Sequence, residues 1–173
     1  NIVLVHGGGN IANEYFKENN YSIKIIDGRR VTDKKTLEKL VMLYAGLINK
    51  NIISKLSSSE KKYIGLSGID SKVIISEKRK IKKIDYGYVG DIKKIDGDFI
   101  KLLIKNKTFP VFCPITANKN GDLLNTNADT IATMIAIEMV KYFQVDLIYF
   151  FDKPGVLING STCLLYTSDA ADD

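Results

Sequence analysis

Histidine and cysteine are scarce in this 173-residue sequence, which contains one histidine and two cysteines. Cys113 and Cys163 have no metal-binding spacing and are too few for a disulfide framework, so a reducing cytosol is the expected compartment. No apolar run approaches the roughly 20 residues of a membrane-spanning helix. A signal peptide and a starting Met are also missing. These absences predict a cytoplasmic protein without a membrane partner, and we expect its true N-terminus to precede Asn1.

The charge balance is basic, with 25 Lys and Arg against 20 Asp and Glu and a net charge of +5. Much of the excess lies in two short runs, Lys78-Arg79-Lys80 and Lys82-Lys83. These cations are not interleaved with aromatic residues on one face, as they are in many nucleic-acid-binding surfaces. They therefore indicate a solvated surface, and no nucleic-acid partner is expected.

The start of the chain places an apolar strand, three glycines and a helix in succession. Residues 2–5 form an apolar run typical of a buried parallel strand. Gly7, Gly8 and Gly9 follow, and then a helical pattern. Glycines allow a sharp turn and bring backbone N–H groups close to a ligand, while the helix N-terminus adds about half a positive charge. Such a turn can hold a phosphate, or a carboxylate that is becoming an acyl phosphate.

The residues of this turn suggest three other interpretations. It could be only a tight strand-to-helix connection. Residues 7–12 also fit G-x-G-x-x-A, and Asp27 closes the next strand near the distance of a ribose-binding acid, so a dinucleotide fold is possible. A lipase oxyanion hole needs a G-x-S-x-G elbow. Residues 65–69 do not supply that elbow, and a Ser-His triad would have to use His6 itself. The lipase interpretation is therefore excluded.

Apolar runs alternate with amphipathic helical patterns along the chain, which is typical of an α/β fold. We predict a three-layer αβα sandwich with a mainly parallel open sheet. A hairpin over residues 73–85, with strands at 73–76 and 81–85, is expected over the ligand-binding edge. The last strand is predicted at residues 147–151. Thr32 is predicted to cap a helix that runs to about residue 56. Asp96 or Asp98 should cap a later one.

Polar residues gather where the predicted strands end, which is where open parallel α/β sheets bind ligands. Arg30 lies in a glycine-initiated turn and suits bidentate capture of a carboxylate. Asn125 and Asn127 alternate, so both sides of an extended segment offer amides. Asp129 lies in the first turn of a helix and could be either a cap or a catalytic residue. Other polar clusters occur at residues 7–9, 67–70 and 152–155.

Taken together, these segments resemble the acetylglutamate branch of the amino-acid kinase family. The matching stretches follow family order and cover residues 1 to about 160: Val5-His6-Gly7-Gly8-Gly9, Gly28-Arg29-Arg30-Val31-Thr32-Asp33, Asn49-Lys50, Gly65-Leu66-Ser67-Gly68-Ile69-Asp70, Gly87-Tyr88-Val89-Gly90, Pro110-Val111-Phe112-Cys113-Pro114-Ile115, Asn125-Thr126-Asn127-Ala128-Asp129-Thr130-Ile131-Ala132 and Asp152-Lys153-Pro154-Gly155-Val156-Leu157. The resemblance implies transfer of a phosphoryl group from ATP, with Mg2+ between the phosphates, to the side-chain carboxylate of N-acetyl-L-glutamate. It also implies a homo-oligomer in the full-length protein.

The resemblance also implies roles for particular residues. Gly8 and Gly9 would offer N–H groups to the reacting carboxylate and the moving phosphoryl, and Gly8 would be catalytic. Arg30 would bind the α-carboxylate. Asn125, with Asn127 beside it, would bind the N-acetylated end of the substrate. Catalytic Asp129 would position lysines instead of acting as a base. The nucleotide would be bound by Asp152, Lys153, Gly155, Val156 and Leu157.

Several features depart from the family pattern. The first strand with its lysine should precede Asn1, and the second catalytic lysine should follow residue 160. We therefore expect a domain over residues 1–160 that is incomplete at both ends and inactive alone. Residues 161–173 carry three acids and no base, and the end of this segment resembles sequencing-adaptor read-through, so they are predicted to be a non-native tail. Phe151 stands where a Ser or Thr is usual, and Lys153 is an unusual neighbour. An N-succinylglutamate or acetylaminoadipate kinase and a non-catalytic amino-acid sensor remain alternatives, as does an NAD(P)-dependent oxidoreductase.

Overall fold

The computed structural model describes residues 1–26, 29–81 and 83–150, and the backbone alone of residues 156–158 and 161–163. The helical elements are α1 (Gly9–Glu18), α2 (Lys34–Val41), a π-helical turn (Met42–Ile48), α3 (Asn49–Leu56), a 3-10 turn (Asp70–Lys72), α4 (Gly97–Lys105) and α5 (Ala128–Met139). The strands are β1 (Leu4–Val5), β2 (Ile25–Ile26), β3 (Arg29–Arg30), β4 (Lys62–Leu66), β5 (Ile74–Lys78), β6 (Gly90–Ile95), β7 (Thr108–Phe112), β8 (Ile115–Ala117), β9 (Leu123–Asn125), β10 (Val156–Ile158) and β11 (Ser161–Cys163).

The central sheet is parallel and has the order β1-β7-β4. Its register places Val5 and Leu66 on either side of Phe112, so the three strands end at the same edge. The glycine turn after β1 and the Ser67 turn after β4 therefore emerge at the same edge, on either side of the end of β7. The prediction of a parallel strand at the start of the chain is confirmed, although Leu4 and Val5 are only partly buried and Ile2 is exposed.

Each face of this sheet carries its own apolar core, so the described part of the chain has three layers. On one face α4 and α5 pack against β1, β4 and β7 around Phe112, Ile100 and Ile135. On the other face α1, α2 and the π-helical turn enclose Phe16 and Leu40. The predicted α/β sandwich is thus confirmed. Within the described ranges, no helix is long and apolar enough to cross a bilayer.

A second sheet is mixed and has the order β6-β5-β8-β9. β5 pairs antiparallel with β6 and parallel with β8, and β8 pairs antiparallel with β9. The predicted hairpin partner of β5 was wrong, because Ile81 and residues 83–85 form no strand. β6 pairs with β5 instead, and its Ile95 is buried in the core, whereas Ile81 in the lysine-rich segment is exposed.

The helix from residue 34 to residue 56 is continuous, but its cap is not the predicted one. Asp33 accepts a hydrogen bond from the Thr36 amide (2.7 Å) and is the N-cap of α2. Thr32, predicted as the cap, lies one residue too early. It pairs instead with Gly87 in an isolated bridge. Asp96 caps α4 through the Phe99 amide at 3.0 Å, which confirms one of the two predicted candidates.

The second and last predicted strands also differ from expectation. β2 pairs antiparallel with β3 instead of lying parallel beside β1, as a dinucleotide fold would require. Asp27, the proposed ribose-binding acid, lies outside the described residues. Residues 147–150 form no strand, and their large side chains are exposed. Farther along, the backbone of β10 pairs antiparallel with β11.

Candidate functional site

The glycine turn is packed closely on one side and open on the other. Gly8 is the N-cap of α1, and its carbonyl accepts the Ala12 amide at 2.9 Å. A Cβ on Gly8 would lie 2.7 Å from Cδ1 of Ile48 and 2.8 Å from Cε1 of Tyr44, so a larger residue does not fit. A Cβ on Gly9 would meet no described atom within 4 Å. The turn therefore rests on the π-helical turn and presents the start of α1 to an approaching ligand.

Arg30 crosses over to this turn from β3. Its Nη2 donates to Oδ1 of Asn13 at 2.6 Å and lies 3.4 Å from the carbonyl oxygen of Gly9, and its guanidinium stacks 5.1 Å from the ring centre of Phe16. Nη1 is buried and has no hydrogen-bond partner among the described residues. A buried, unpaired guanidinium nitrogen is costly unless an anion completes its hydrogen bonds. The geometry therefore fits a carboxylate or phosphate ligand beside Gly9.

Tyr44 forms the floor of the same site. Burial raises the pKa of its hydroxyl, and the nearby Arg30 guanidinium partly opposes that rise. Tyr44 thus contacts both the glycine turn and the arginine. It was not among the sequence-predicted site residues, because an apolar helical stripe is the more common explanation of a tyrosine at that spacing.

Asn125 is brought to the arginine through Thr32. Its Nδ2 donates to the Thr32 hydroxyl at 3.1 Å, and that hydroxyl donates to the Arg30 carbonyl at 3.0 Å. Backbone hydrogen bonds strengthen this link. The backbone N–H of Asn125 donates to the Tyr88 carbonyl, and the backbone N–H of Tyr88 donates to the Thr32 carbonyl. Arg30 and Asn125, 95 positions apart in the sequence, therefore belong to one connected cluster with Gly9.

Asn127 and Asp129 lie next to this cluster in sequence but have other contacts. The Oδ1 of Asn127 accepts the Thr130 amide at 2.8 Å and caps α5. Asp129 occupies the first turn, so it is not the cap. Within the described ranges no hydrogen bond joins either residue to Arg30 or Gly9. Of the sequence-predicted residues, Gly8, Gly9, Arg30 and Asn125 are therefore the ones that the structure connects.

His6, which is partly buried, and the fully buried Asn49 form a polar pair that was not predicted to be functional from the sequence. The His6 Nδ1 lies 2.7 Å from the Gly7 carbonyl oxygen, and its Nε2 lies 3.2 Å from Nδ2 of Asn49. The same Asn49 nitrogen donates to the Val111 carbonyl at 2.9 Å. Burial lowers the pKa of His6, and the Gly7 bond partly opposes this change. The sequence feature that could have indicated this pair is Asn49, a polar residue within an otherwise apolar helical stripe.

Comparison with known proteins shows the family to which the chain belongs. The model of the "Amino acid kinase family" matches residues 1–163. The chain belongs to the amino acid kinase family. Acetylglutamate kinase from Cytophaga hutchinsonii is 46% identical over 158 residues, which are 91% of this chain and 60% of that protein. The enzyme of the same name from Methanopyrus kandleri is 36% identical over 160 residues, 90% of this chain and 63% of that protein.

Solved structures of similar fold extend the comparison. The protein smu.665 from Streptococcus mutans UA159 has a TM-score of 0.81 and 33% identity, and the match covers 92% of this chain and 63% of that one. N-acetylglutamate synthase from Neisseria gonorrhoeae shares the fold at 18% identity. Its TM-score is 0.69, and the match covers 79% of this chain and 31% of that one. The chain thus spans about 60% of the length of the curated relatives it matches.

Membership of the amino acid kinase family bears on the alternatives. A dinucleotide-dependent oxidoreductase is not supported, since both the family match and the antiparallel β2–β3 pair disagree with it. The nucleotide-binding prediction stays a prediction: Asp152, Lys153 and Gly155 lie outside the described residues, and only the backbone of Val156 and Leu157 is placed, in β10.

Proposed function

We propose that the full-length protein transfers the γ-phosphoryl group of ATP to the side-chain carboxylate of N-acetyl-L-glutamate, a step of arginine biosynthesis in the cytoplasm. The observation that carries this proposal is the buried Nη1 of Arg30 beside the glycine turn, which has no hydrogen-bond partner among the described residues. The substrate is suggested by the curated relatives, several of which are named acetylglutamate kinase.

In this reaction an oxygen of the side-chain carboxylate attacks the γ-phosphorus of ATP. A new P–O bond forms, the bond to the β–γ bridging oxygen breaks, and ADP leaves. A carboxylate is already ionised at neutral pH, so no general base is needed. Catalysis then depends on orientation and on stabilising charge, which suits a site built from backbone N–H groups and an arginine.

Each residue has a place in this proposal. The N–H groups of Gly8 and Gly9 stabilise the charge that develops between carboxylate and phosphoryl. Arg30 binds the α-carboxylate, and Asn125, with Asn127 beside it, binds the N-acetylated end. Asp129 orients lysines that lie elsewhere in the full-length protein. The described residues include no group of three or more His, Cys, Asp or Glu that could hold a metal. In the proposal, Mg2+ would bind the ATP phosphates and offset their charge.

The nucleotide site and the assembly are further parts of the proposal. ATP would be bound by Asp152, Lys153, Gly155, Val156 and Leu157. The full-length protein is expected to form a homo-oligomer. Nucleic acid and membrane are not expected partners.

The test is ADP release by the purified full-length protein with Mg2+-ATP and one acceptor at a time. N-acetyl-L-glutamate should give turnover, and hydroxylamine should trap the acyl phosphate as a hydroxamate. N-succinylglutamate and acetylaminoadipate are the matched acceptors, since they change the acyl group or the chain length alone. Higher kcat/KM with either would replace the proposed substrate. Binding of N-acetylglutamate without turnover would support a sensor instead.

A further inference from the structure

The direction of the Gly8 N–H is set by the peptide unit that it shares with the Gly7 carbonyl. In a trans peptide the C=O and the N–H point in opposite directions, and the described chain contains no cis peptide bond. The His6 Nδ1 lies 2.7 Å from the Gly7 oxygen. A carbonyl can only accept, so Nδ1 must carry the proton. This hydrogen bond points the Gly7 oxygen toward His6 and the Gly8 N–H away from it.

The imidazole is itself held from its other nitrogen. With the proton on Nδ1, the neutral ring has an acceptor at Nε2, and Nδ2 of Asn49 lies 3.2 Å from it. The orientation of that amide is not ambiguous, because Nδ2 also faces the Val111 carbonyl oxygen, which can only accept. Its Oδ1 in turn accepts from Nζ of Lys50 at 3.3 Å. All three contacts of the amide thus agree with one orientation.

Asn49 has no freedom to move away from this position. It is 1% exposed. A Cβ on Gly65 of the neighbouring strand β4 would overlap its Oδ1, so a glycine is needed there to admit the amide. The backbone of β7 is therefore connected through Asn49 and His6 to the peptide unit that contains the Gly8 N–H.

We propose that His6 is a positioning residue, held by Asn49, which fixes the direction of the Gly8 N–H toward the reacting carboxylate and phosphoryl group. This inference rests on the proposed function. The neutral imidazole touches neither substrate; it acts through the Gly7–Gly8 peptide. Freed from His6, that peptide could rotate and turn the N–H away from the developing charge.

Two isosteric changes separate the two hydrogen bonds of the ring. His6→Asn keeps a donor at the position of Nδ1, because both nitrogens are bonded to Cγ. His6→Gln keeps an acceptor near the position of Nε2 but loses the donor to Gly7. In the full-length protein we expect His6→Gln to lower kcat about ten- to a hundredfold, since misdirection of one oxyanion donor has effects of this order. KM for both substrates should stay within about twofold. His6→Asn should retain kcat within about threefold.

A purely structural role for His6 predicts a different result. The melting temperature would fall in both variants while kcat stayed unchanged, and this would overturn the proposal. Equal losses of kcat in His6→Asn and His6→Gln would also overturn it, because the Gly7 bond would then not be the determining contact. His6→Phe, which fills the space without either bond, should match His6→Gln.

The hydrogen bond can also be tested without the reaction. In full-length protein labelled with 15N-histidine, the His6 resonances are identified by their absence from His6→Asn. At neutral pH we expect the proton on Nδ1, and a proton on Nε2 would contradict the proposal. If wild-type protein shows no acetylglutamate-dependent ADP release, the proposed function fails, while this measurement still decides the state of the ring.

Discussion

At the scale of single residues, the Arg30 guanidinium is hydrogen-bonded through Nη2 and also interacts with the Tyr44 hydroxyl. Asn13, Gly9 and Phe16 occupy Nη2 and the ring face, and Nη1 is left without a described partner. A planar fork can satisfy the protein and a carboxylate at once, which an ammonium group cannot do with the same geometry.

Replacement of Arg30 by lysine should therefore weaken substrate binding more than folding. For Arg30→Lys in the full-length protein we expect a raised KM for N-acetylglutamate with little change in KM for ATP. One charge-assisted contact contributes about 1.5–3 kcal/mol, so kcat/KM should fall about ten- to a hundredfold. The matched control is Arg29→Lys, since that neighbouring side chain is exposed. Equal losses for both substrates would point to a folding role for Arg30.

Cys113 offers a prediction about pH. It is fully buried, and burial raises the pKa of its thiol from 9.0 to about 11. Because the folded-state pKa is the higher one, this contribution to stability is complete below pH 9.0 and is lost as the pH rises toward 11. Between pH 8 and pH 10 the wild type should lose about 1 kcal/mol of unfolding free energy relative to Cys113→Ala. Urea unfolding under reducing conditions would measure this, and parallel pH profiles would contradict it.

At the scale of elements, the long helix beside the glycine turn does three things along its length. α2 begins at the Asp33 cap, the π-helical turn places Tyr44 and Ile48 against Gly8, and α3 begins with Asn49. A π-helical turn changes the direction of side chains within a continuous helix and is frequent at functional sites. Here the π-helical turn packs against Gly8, and Asn49, which follows it, binds His6.

The Asp33 cap can be tested by the matched pair Asp33→Ala and Asp33→Asn. Alanine should lower the unfolding free energy by about 1 kcal/mol near neutral pH, whereas asparagine can still accept from the Thr36 amide and should change it by less than about 0.5 kcal/mol. The Thr36 amide holds the pKa of Asp33 below its ordinary 3.8. The extra unfolding free energy of the wild type over Asp33→Ala is therefore present above pH 3.8. It should be lost as the pH falls through the lowered folded-state pKa of Asp33. Chemical unfolding across this range decides the matter.

At the scale of the whole molecule, the two cores are well covered but the segment after α5 is not. Ile148 is 68% exposed and Phe150 is 91% exposed, in a run that was predicted to be a strand. Contiguous exposed apolar residues promote association between chains.

We therefore expect the 173-residue chain to self-associate through this run. The double substitution Ile148→Lys and Phe150→Lys should lower its apparent mass in light scattering while its circular dichroism spectrum stays the same. Leu102→Lys is the control, since Leu102 is an exposed apolar residue on α4. If the control reduces association equally, the run is not its cause.

The sequence by itself determined the features that depend on neighbours in the chain. The apolar run, three glycines and helical pattern at the start produced β1, the turn and α1, because strand burial, glycine flexibility and helix periodicity are local properties. The sequence also placed Arg30 and Asn125 among polar residues at predicted strand ends. The strands that carry them, β3 and β9, pair antiparallel with their neighbours, and the binding roles of the two residues stay predictions.

Only the tertiary structure decided which distant groups become partners. His6 bonds to Asn49 across 43 positions, and β5 pairs with β6 across the loop that was predicted to be its partner strand. The N-cap of α2 is Asp33 and not the predicted Thr32, because the Thr32 hydroxyl is hydrogen-bonded to Arg30 and Asn125. The physical reason is that a buried polar group binds whichever partner the packing brings within about 3 Å. Residue spacing along a single chain does not contain that information.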